Sequence, residues 1–316
     1  MGLSRNARSE IEQRFRSGYI APGVDELRQA VDARLDQLVP LDCRADGDLS
    51  GQRLTVAMRY GLLAPGKRVR PLLTLLTAKR FGRSGRDVVD SACAIEMVHT
   101  ASLVLDDLPC MDDGTTRRGR PTLHRQFGES TAILVAVALL NRAYQVLGSL
   151  EDTDATVRAE LVRVLGRAVG TEGLVGGQEA DLTADVACSD LGTVEAGHIR
   201  KTSALFVAAV DCGACLAGLR GPERDALGVF ASSLGLAFQA LDDVRDATGA
   251  AAILGKDVRQ DIGKCSVVAV LGQSGAREAV DRHVRSALEA LDGVSRPSDV
   301  LRSYVAQTFG AAMDGV

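Results

Sequence analysis

The sequence predicts an all-α protein with a single domain. Aromatic residues make up only 3% of the 316 residues and tryptophan is absent, while Ala, Leu and Val are abundant. Small aliphatic side chains suit the close packing of helices better than the core of a β-sandwich. Apolar residues recur every three to four positions through most of the chain, and no strand pattern of consequence interrupts them. Since no internal linker is visible, one large domain accounts for this length.

Two helices are predicted near the N-terminus. Residues 1–22 are polar, with a Gly-Tyr-Ile-Ala-Pro-Gly break, and are interpreted as a loose arm or a short helix. Apolar residues at helical spacing predict an amphipathic helix over 24–38. A polar loop over 40–50 follows, and a second helix over 54–63 ends at an Ala-Pro-Gly turn.

A basic turn, Gly66-Lys67-Arg68-Val69-Arg70-Pro71, leads into a predicted apolar helix over 72–81. Lys67 and Arg70 are three residues apart where the loop enters the helix. The unpaired N–H groups of a helix N-terminus attract anions, so two cations there could seat a diphosphate. A solvated basic turn is the alternative.

Four carboxylates fall within eight residues at the end of the next predicted helix, which covers 88–105. They are Asp106, Asp107, Asp112 and Asp113. Carboxylates this close repel one another unless a positive charge lies between them. Mg²⁺ binds through one or two carboxylates and leaves room for substrate phosphates, whereas the alternating spacing of a calcium loop is absent. A solvated acidic surface is the alternative, but apolar residues lead directly into the stretch.

Residues on either side extend this acidic site. Pro109 disrupts the helix, so the chain must bulge for Asp106 and Asp112 to reach one ion. His99 lies two turns before Asp106 on the same face, although a lone histidine on an apolar helix is more often a core residue. Arg117 and Arg118 follow as a second basic clamp. Adjacent side chains point in different directions, so these two could serve different phosphate groups.

The second half is predicted to form further apolar helices. They cover 131–150, 155–169, 191–210 with Lys201 and Thr202 in the middle, 212–241, and 276–309 with a break at Pro297. Glycines over 173–182 mark a place where backbones can approach closely. A second acidic motif contains Asp242, Asp243 and Asp246, of which the first and last share a helix face. The central hypothesis is two facing acidic walls with metal ions and a diphosphate between them.

Composition narrows the compartment and the partners. The net charge is −4, so nothing indicates nucleic-acid binding. Seven cysteines, an odd number, and the lack of a signal peptide predict reduced thiols in the cytoplasm. Cys212 and Cys215 have CxxC spacing but are expected to pack within a helix rather than bind zinc. No uninterrupted apolar run of 18 residues occurs, so no membrane span is expected.

Seven motifs together resemble the trans-type polyprenyl diphosphate synthases, and within them the bacterial geranylgeranyl diphosphate synthases of the carotenoid-pathway type. The resemblance covers nearly all of the chain, most clearly residues 66–291. Its motifs are GKRVRP (66–71), HTASLVLDDLPCMDD (99–113), RRGRPTLH (117–124), GLVGGQEADL (173–182), KTSALF (201–206), FQALDDVRD (238–246) and GKDVRQDIGK (255–264). Each is weak to moderate alone, but their order and spacing are specific.

The resemblance implies a fold, a cofactor, partners and site residues. The implied fold is a single all-α isoprenoid synthase bundle around a deep central cavity, usually a homodimer. Mg²⁺ is the implied cofactor, as three ions with substrate bound, and the substrates are isopentenyl diphosphate and dimethylallyl, geranyl or farnesyl diphosphate. The implied catalytic residues are Asp106, Asp107, Asp112, Lys201, Thr202, Asp242, Asp243 and Asp246, with Asp106, Asp112 and Asp242 as metal ligands. The implied allylic contacts are Arg117, Lys201, Thr202, Gln239 and Lys256, and the implied isopentenyl seat is Lys67, Arg70, His99 and Arg118.

The implied reaction is head-to-tail prenyl transfer, in which an allylic cation forms and the isopentenyl double bond attacks it. The C-terminus over 309–316 departs from some relatives, because it lacks the basic residues that they bring over the isopentenyl site. The Pro109-Cys110 insertion is shared by geranylgeranyl and farnesyl enzymes and does not decide product length. A farnesyl or longer-chain synthase, a class I terpene cyclase and a non-catalytic synthase subunit are the alternatives.

Product length is expected to depend on the helix that ends at Asp106. Ser102 and Ala101 lie four and five residues earlier, roughly 6–7.5 Å down the helix axis. Both are small, whereas related farnesyl enzymes carry an aromatic residue there. A C20 product therefore fits this sequence better than a C15 product.

Overall fold

The computed structural model describes residues 23–41, 49–183, 190–248, 266–294 and 299–313. These residues are almost wholly helical, which confirms the all-α prediction. The helices are α1 (Val24–Leu38), α2 (Leu49–Leu62), α3 (Val69–Arg80), α4 (Arg86–Asp106), α5 (Leu123–Phe127), α6 (Glu129–Gly148), α7 (Ala155–Val169), α8 (Leu174–Thr183), α9 (Leu191–His198), α10 (Ala204–Leu216), α11 (Pro222–Thr248), α12 (Val267–Ala290) and α13 (Asp299–Met313). The predicted arm over 1–22 lies outside the described residues.

A short β-hairpin is the one departure from the helical prediction within the described residues. Its strands are β1 (Thr116–Arg117) and β2 (Arg120–Pro121), paired antiparallel. Arg118 and Gly119 form the turn with φ of 53° and 74°. Two positive φ values in a two-residue loop match the type I′ turn, whose twist suits a hairpin. Two-residue strands are too short to show alternation in the sequence.

Helix α4 lies at the centre of the bundle. It packs most extensively against α6 and also contacts α1, α2, α3 and α10. Buried residues occur on all sides of it, among them Ile95 and Met97, which are fully buried. A helix that is apolar all round has to lie inside the protein. Because α4 is held from every side, its last residue, Asp106, has a fixed position.

Four helix ends meet where the functional motifs lie. Helix α3 begins just after Lys67, α4 ends at Asp106, and α10 begins after a π-turn formed by Ile199–Ser203. Helix α11 carries Asp242 near its C-terminal end and packs against both α10 and α12. Packing therefore brings together motifs that are far apart in the sequence.

Several predicted helix boundaries were wrong, among them the start of α2, which is Leu49 rather than residue 54. The run over 212–241 is not one helix, because α10 ends at Leu216 and α11 begins at Pro222. Gly218 and Gly221 have φ of 76° and 65°, which helical residues do not adopt. The terminal helix begins at Val267 rather than near residue 276, and the Ser266 hydroxyl caps it by accepting the Ala269 N–H at 3.1 Å.

The cysteines of the described part are free thiols. Cys212 and Cys215 are buried in α10 without a disulfide, which agrees with the packed-helix interpretation of their spacing. Cys93 is also buried, in α4, whereas Cys110 is exposed.

Among the residues that the structure describes, three helices are long and apolar enough to cross a membrane by length and composition alone, namely α4, α6 and α11. None of the three was predicted to span a membrane, because polar or charged residues interrupt the apolar run in each helix. Within the bundle, 72%, 39% and 56% of their apolar windows are buried. Helix α6 is therefore the most exposed of the three.

Two concavities lie outside the space between the acidic motifs. One of about 740 Å³ is lined by residues from Phe81 to Arg83 and from Cys215 to Gly218, at the ends of α3 and α10 remote from Lys67 and the π-turn. A smaller one of about 40 Å³ lies between α2, α4 and the hairpin. The deep central cavity implied by the resemblance stays a prediction.

Candidate active site

The first acidic stretch folds back on itself as a tight bulge. Asp106 is the last residue of α4, and its carbonyl accepts the Asp112 N–H at 2.9 Å. Asp113, with φ of 45°, donates its N–H to the Leu108 carbonyl at 3.1 Å. The predicted bulge is confirmed. It brings the backbone of Asp112 next to that of Asp106, so the two side chains leave the backbone close to each other.

Arg117 pairs with the buried carboxylate of Asp107. Its Nη2 lies 2.5 Å from Oδ1, and its Nε lies 3.1 and 3.2 Å from the two carboxylate oxygens. Asp107 is 3% exposed, and burial raises its pKa while Arg117 opposes the rise. In this structure Arg117 therefore neutralises Asp107, in addition to any contact with a substrate.

Asp106 is subject to burial and to both negative and positive neighbours. Burial raises its pKa to about 6, and the carboxylates of Asp112 and Asp107 act in the same direction. Lys201 and Arg117 oppose them. Asp112 and Lys201 thus both act electrostatically on Asp106, and a divalent cation would relieve the repulsion between the carboxylates.

Lys201 and Thr202 both lie on the π-turn, but their side chains contact different residues. The Lys201 ammonium contacts the Asp181 carboxylate at 2.5 Å. The Thr202 hydroxyl donates to Gln239 Oε1 at 2.7 Å, and Gln239 Nε2 donates to Asp243 Oδ1 at 3.0 Å. Asp181 was not among the predicted site residues, although it lies in the glycine-rich motif over 173–182.

The three aspartates of the second motif have different environments. Asp243 is buried and accepts the Val267 N–H at 2.9 Å, so it fastens the start of α12 to α11. Asp246 is also buried, whereas Asp242 is half-buried. Asp242 is therefore the member of this motif with a side chain open to a ligand.

Lys67 and Arg70 lie within the electrostatic influence of Asp242. Lost hydration lowers the pKa of Lys67, and so does Arg245, while Asp242 raises it. Burial lowers the pKa of Arg70 to about 10, and Asp242 again opposes the change. The Arg70 guanidinium lies 4.6 Å from the centre of the Phe206 ring. These contacts place the first basic pair beside the second acidic motif.

His99 and Arg118 complete a predicted basic group with Lys67 and Arg70. Arg70 Nη1 lies 3.3 Å from His99 Nε2. Burial, followed by Arg70, holds the pKa of His99 well below its ordinary value. An arginine can only donate, so His99 Nε2 accepts this hydrogen bond and the ring is neutral. Arg118 donates to the Ala64 carbonyl at 3.3 Å and lies 3.6 Å from Glu96.

Arg68 and Glu96 form a buried ion pair next to this basic group. Neither residue was among the predicted site residues. Arg68 Nη1 lies 2.6 Å from Glu96, and its Nε lies 2.8 Å from Asp32. Arg68 also donates to the Leu62 and Ala64 carbonyls at 3.1 Å. The sequence contained one indication of this pair. Glu96 is a lone glutamate on an apolar helix, and a buried glutamate requires a partner.

The proposed chain-length residues lie one turn below Asp106 on α4. Ala101 is fully buried, and the half-buried Ser102 donates its hydroxyl to the His99 carbonyl at 2.9 Å. Their effect on product length stays a prediction. Lys256 falls in 249–265, outside the described residues.

The donor set fits Mg²⁺ when a substrate shares the ion. Within the described ranges, no three His, Cys, Asp or Glu side chains converge closely enough to hold a metal by themselves. Mg²⁺ uses one or two carboxylates and takes its other oxygens from phosphates and water. Asp106 beside Asp112 on one side, and Asp242 on the other, match that requirement.

Known proteins resemble the chain over almost its full length. A model of the polyprenyl synthetase family matches residues 51–300. A geranylgeranyl diphosphate synthase of Pantoea ananas is 40% identical over 295 residues, covering 92% of this chain and 94% of that protein. A farnesyl diphosphate synthase of Bacillus subtilis is 40% identical over 252 residues, covering 78% and 85%.

A solved structure agrees with these sequence relationships. The geranyltransferase of Helicobacter pylori, complexed with magnesium and isoprenyl diphosphate, is 27% identical with a TM-score of 0.80. The match covers 94% of this chain and 99% of that protein. The helices, the motifs and these relatives lead to one conclusion, that the chain belongs to the polyprenyl synthetase family.

Proposed function

We propose that this protein is a Mg²⁺-dependent prenyltransferase that joins isopentenyl diphosphate head to tail to an allylic diphosphate and makes geranylgeranyl diphosphate. The observation that carries the proposal is the arrangement of charge around two acidic motifs. At one motif Asp112 and Lys201 act electrostatically on Asp106, and at the other Asp242 acts on Lys67 and Arg70. Two diphosphates and the metal between them require this alternation of negative and positive groups.

In the proposed mechanism, Asp106, Asp112 and Asp242 would hold the Mg²⁺ ions, three in number, together with the allylic diphosphate. Bound Mg²⁺ would supply positive charge to the diphosphate as its C–O bond breaks. Lys201, Thr202, Gln239 and Lys256 bind the same leaving group, and Arg117 joins them. Positive groups fixed in advance stabilise the negative charge that grows there. Asp107, Asp243 and Asp246 act indirectly, because their carboxylates orient these groups.

The isopentenyl diphosphate is bound by Lys67, Arg70, His99 and Arg118. Its double bond attacks the allylic cation and leaves a tertiary cation on the isopentenyl unit, and loss of a proton from the adjacent carbon forms the new double bond. His99 is a poor base for that proton, because its Nε2 already accepts from Arg70 at 3.3 Å. The departing pyrophosphate is therefore the proposed base. Apolar walls keep water from the cation.

A C20 product is proposed over C15 because Ala101 and Ser102 are small. The relatives include both a geranylgeranyl and a farnesyl diphosphate synthase at 40% identity, so overall identity does not distinguish the two product lengths. An aromatic residue on this turn of α4 would occupy the path of the growing chain.

The test is one assay of the purified protein with Mg²⁺, isopentenyl diphosphate and each of the three allylic primers. Dephosphorylated products are separated by chromatography, and geranylgeraniol is expected. Farnesol or a longer alcohol would overturn the chain-length proposal. A cyclic hydrocarbon would indicate a terpene cyclase, and turnover only after addition of a partner synthase would indicate a non-catalytic subunit.

We further propose a cytoplasmic homodimer. Helix α6 exposes Ile133, Leu134 and Val137 at 45%, 56% and 57%. Three adjacent apolar side chains on one helix favour burial against a second copy of the chain. A second copy would also cover the most exposed of the three long apolar helices. Recovery of the protein in the membrane fraction would contradict the cytoplasmic assignment.

A further inference from the structure

The π-turn Ile199–Ser203 holds two proposed substrate contacts in a conformation that helices rarely adopt. A π-turn inserts one extra residue into a helix, and such turns are frequent at functional sites. Lys201 and Thr202 occupy its middle. Lys201 acts on the Asp106 side of the site, while Thr202 binds Gln239 on the side of the second acidic motif. One turn thus serves both acidic motifs.

Gly177 of α8 presses against the backbone of this turn. A methyl group in place of its hydrogen would lie 2.4 Å from the Lys201 amide nitrogen and 2.7 Å from the Lys201 Cα. The Arg200 carbonyl carbon would lie 2.8 Å away. These are backbone atoms, so they could make room only if the whole turn moved.

Gly235 of α11 presses on the same turn through Ser203. A methyl group there would lie 2.5 Å from Ser203 Oγ, 2.6 Å from its Cα and 2.7 Å from its Cβ. Ser203 is fully buried, and its hydroxyl has no hydrogen-bond partner among the residues that the structure describes. Ser203 itself is therefore held by close packing rather than by a polar side-chain contact.

We propose that Gly177 and Gly235 are positioning residues that clamp the π-turn and thereby aim Lys201 and Thr202 at the allylic diphosphate. The inference rests on the proposed prenyltransferase function and assigns these glycines a part in it. Neither glycine has positive φ, so conformational freedom does not require glycine at either position. What requires it is the close approach of α8 and α11 to the turn.

The clamp should act on one substrate more than on the other. Lys201 and Thr202 belong to the proposed allylic site. The proposed isopentenyl seat is built from α3, α4 and the hairpin, which carry Arg70, His99 and Arg118. A displaced π-turn should therefore weaken allylic binding and leave isopentenyl binding nearly intact.

The experiment compares Gly177→Ala and Gly235→Ala with Gly197→Ala and Gly228→Ala. A methyl group at either control position would meet nothing within 4 Å. Gly197 lies on α9, one turn before Lys201, and Gly228 lies on α11, as Gly235 does. Replacing glycine by alanine inside a helix is normally neutral or stabilising, so both controls should keep wild-type kinetics.

The clamp variants should lose roughly a hundredfold in kcat/KM for the allylic diphosphate, as expected for small misplacements of binding groups. The KM for isopentenyl diphosphate should stay near the wild-type value. Calorimetry with an unreactive thiolo analogue of the allylic diphosphate provides a second readout, and affinity should fall in parallel. Equal losses for both substrates, or wild-type kinetics in both clamp variants, would overturn the proposal.

Two milder substitutions at Ser203 test the same proposal if a clamp variant fails to fold. Ser203→Thr adds a methyl group to the same contact from the turn itself, and Ser203→Ala removes only the unpartnered hydroxyl. Selective loss of allylic affinity in Ser203→Thr, with Ser203→Ala unchanged, supports the clamp. Wild-type affinity in a folded Ser203→Thr variant overturns it. If the wild type transfers no prenyl group at all, the proposed function fails instead.

Discussion

The Arg117 guanidinium contacts the Asp107 carboxylate through both Nε and Nη2, at distances of 2.5 to 3.2 Å. The pair joins the end of α4 to strand β1, ten residues later. Arg117 thereby fixes the hairpin against the acidic bulge. Arg118, the next residue, points to Ala64 and Glu96 instead. The two neighbouring side chains therefore point in different directions, as expected, and their binding of two different phosphate groups stays a prediction.

Asp107→Asn should destabilise the fold by about 3 kcal/mol, because breaking a buried ion pair leaves the other charge uncompensated. The Asp107 side chain is 5% exposed and that of Arg117 is 23% exposed. Urea unfolding of both proteins gives the comparison. Asp113→Asn is the matched control, since Asp113 and its partner Arg125 are 60% and 47% exposed, and exposed pairs contribute below about 1 kcal/mol. Equal destabilisation by both substitutions would contradict the structural role of Arg117.

Turnover should depend on divalent metal and on one aspartate from each acidic motif. Excess chelator should abolish activity, and added Mg²⁺ should restore it. Asp106→Ala and Asp242→Ala should each lower kcat by roughly 10²-fold or more, because the leaving-group charge loses its stabilisation. Thermal melting should show both variants folded. Asp113→Ala, in the same stretch, should keep its activity; full activity in excess chelator would refute the metal assignment.

The two basic groups should separate in steady-state kinetics. Lys67→Ala and Arg70→Ala should raise KM chiefly for isopentenyl diphosphate, because both belong to its proposed seat, in which Arg70 lies 3.3 Å from His99. Lys201→Ala and Lys256→Ala should act chiefly on the allylic substrate. Lys79→Ala, on the exposed end of α3, is the control. Substitutions that change both KM values alike would argue against two separate diphosphate seats.

Filling the turn of α4 below Asp106 should shorten the product. Ser102→Phe and Ala101→Tyr are expected to shift output from geranylgeranyl to farnesyl diphosphate, as judged by chromatography of dephosphorylated products. Ala101 is fully buried, so a tyrosine there also overpacks the core and costs about 1–3 kcal/mol. Ser102→Phe is therefore the cleaner variant, with Ser102→Ala as its control. Unchanged C20 output from both large substitutions would place the cavity floor elsewhere.

Charge on the exposed face of α6 should dissociate the homodimer. Leu134→Glu and Val137→Glu place carboxylates where a second copy would bury them, so sedimentation equilibrium should report a monomer. Val229→Glu is the matched control, because Val229 is 56% exposed on α11 and lies on another helix. If the wild type is a monomer, or if only the control variant dissociates, the proposed α6 interface is wrong.

Local sequence determined the helices and the order of the motifs. Helix α7 spans the predicted residues Ala155–Val169, since its apolar residues repeat at helical spacing, and Gly166 within it does not end the helix. The break at Gly218 and Gly221 could not be predicted in the same way. Glycines are tolerated within helices, and only the neighbouring structure decides that these two adopt positive φ.

Tertiary structure decided which charged residues face the site and which support it. Within Lys67-Arg68-Val69-Arg70, Arg68 turns inward to Glu96 and Asp32, whereas Lys67 and Arg70 lie by Asp242. The same holds for Lys201, whose ionic partner Asp181 is twenty residues earlier, and for Gly177 against the π-turn. Helical periodicity is a local property that a sequence displays directly. The choice of partner among similar charges depends on burial and on contacts between distant segments, which exist only after the helices pack.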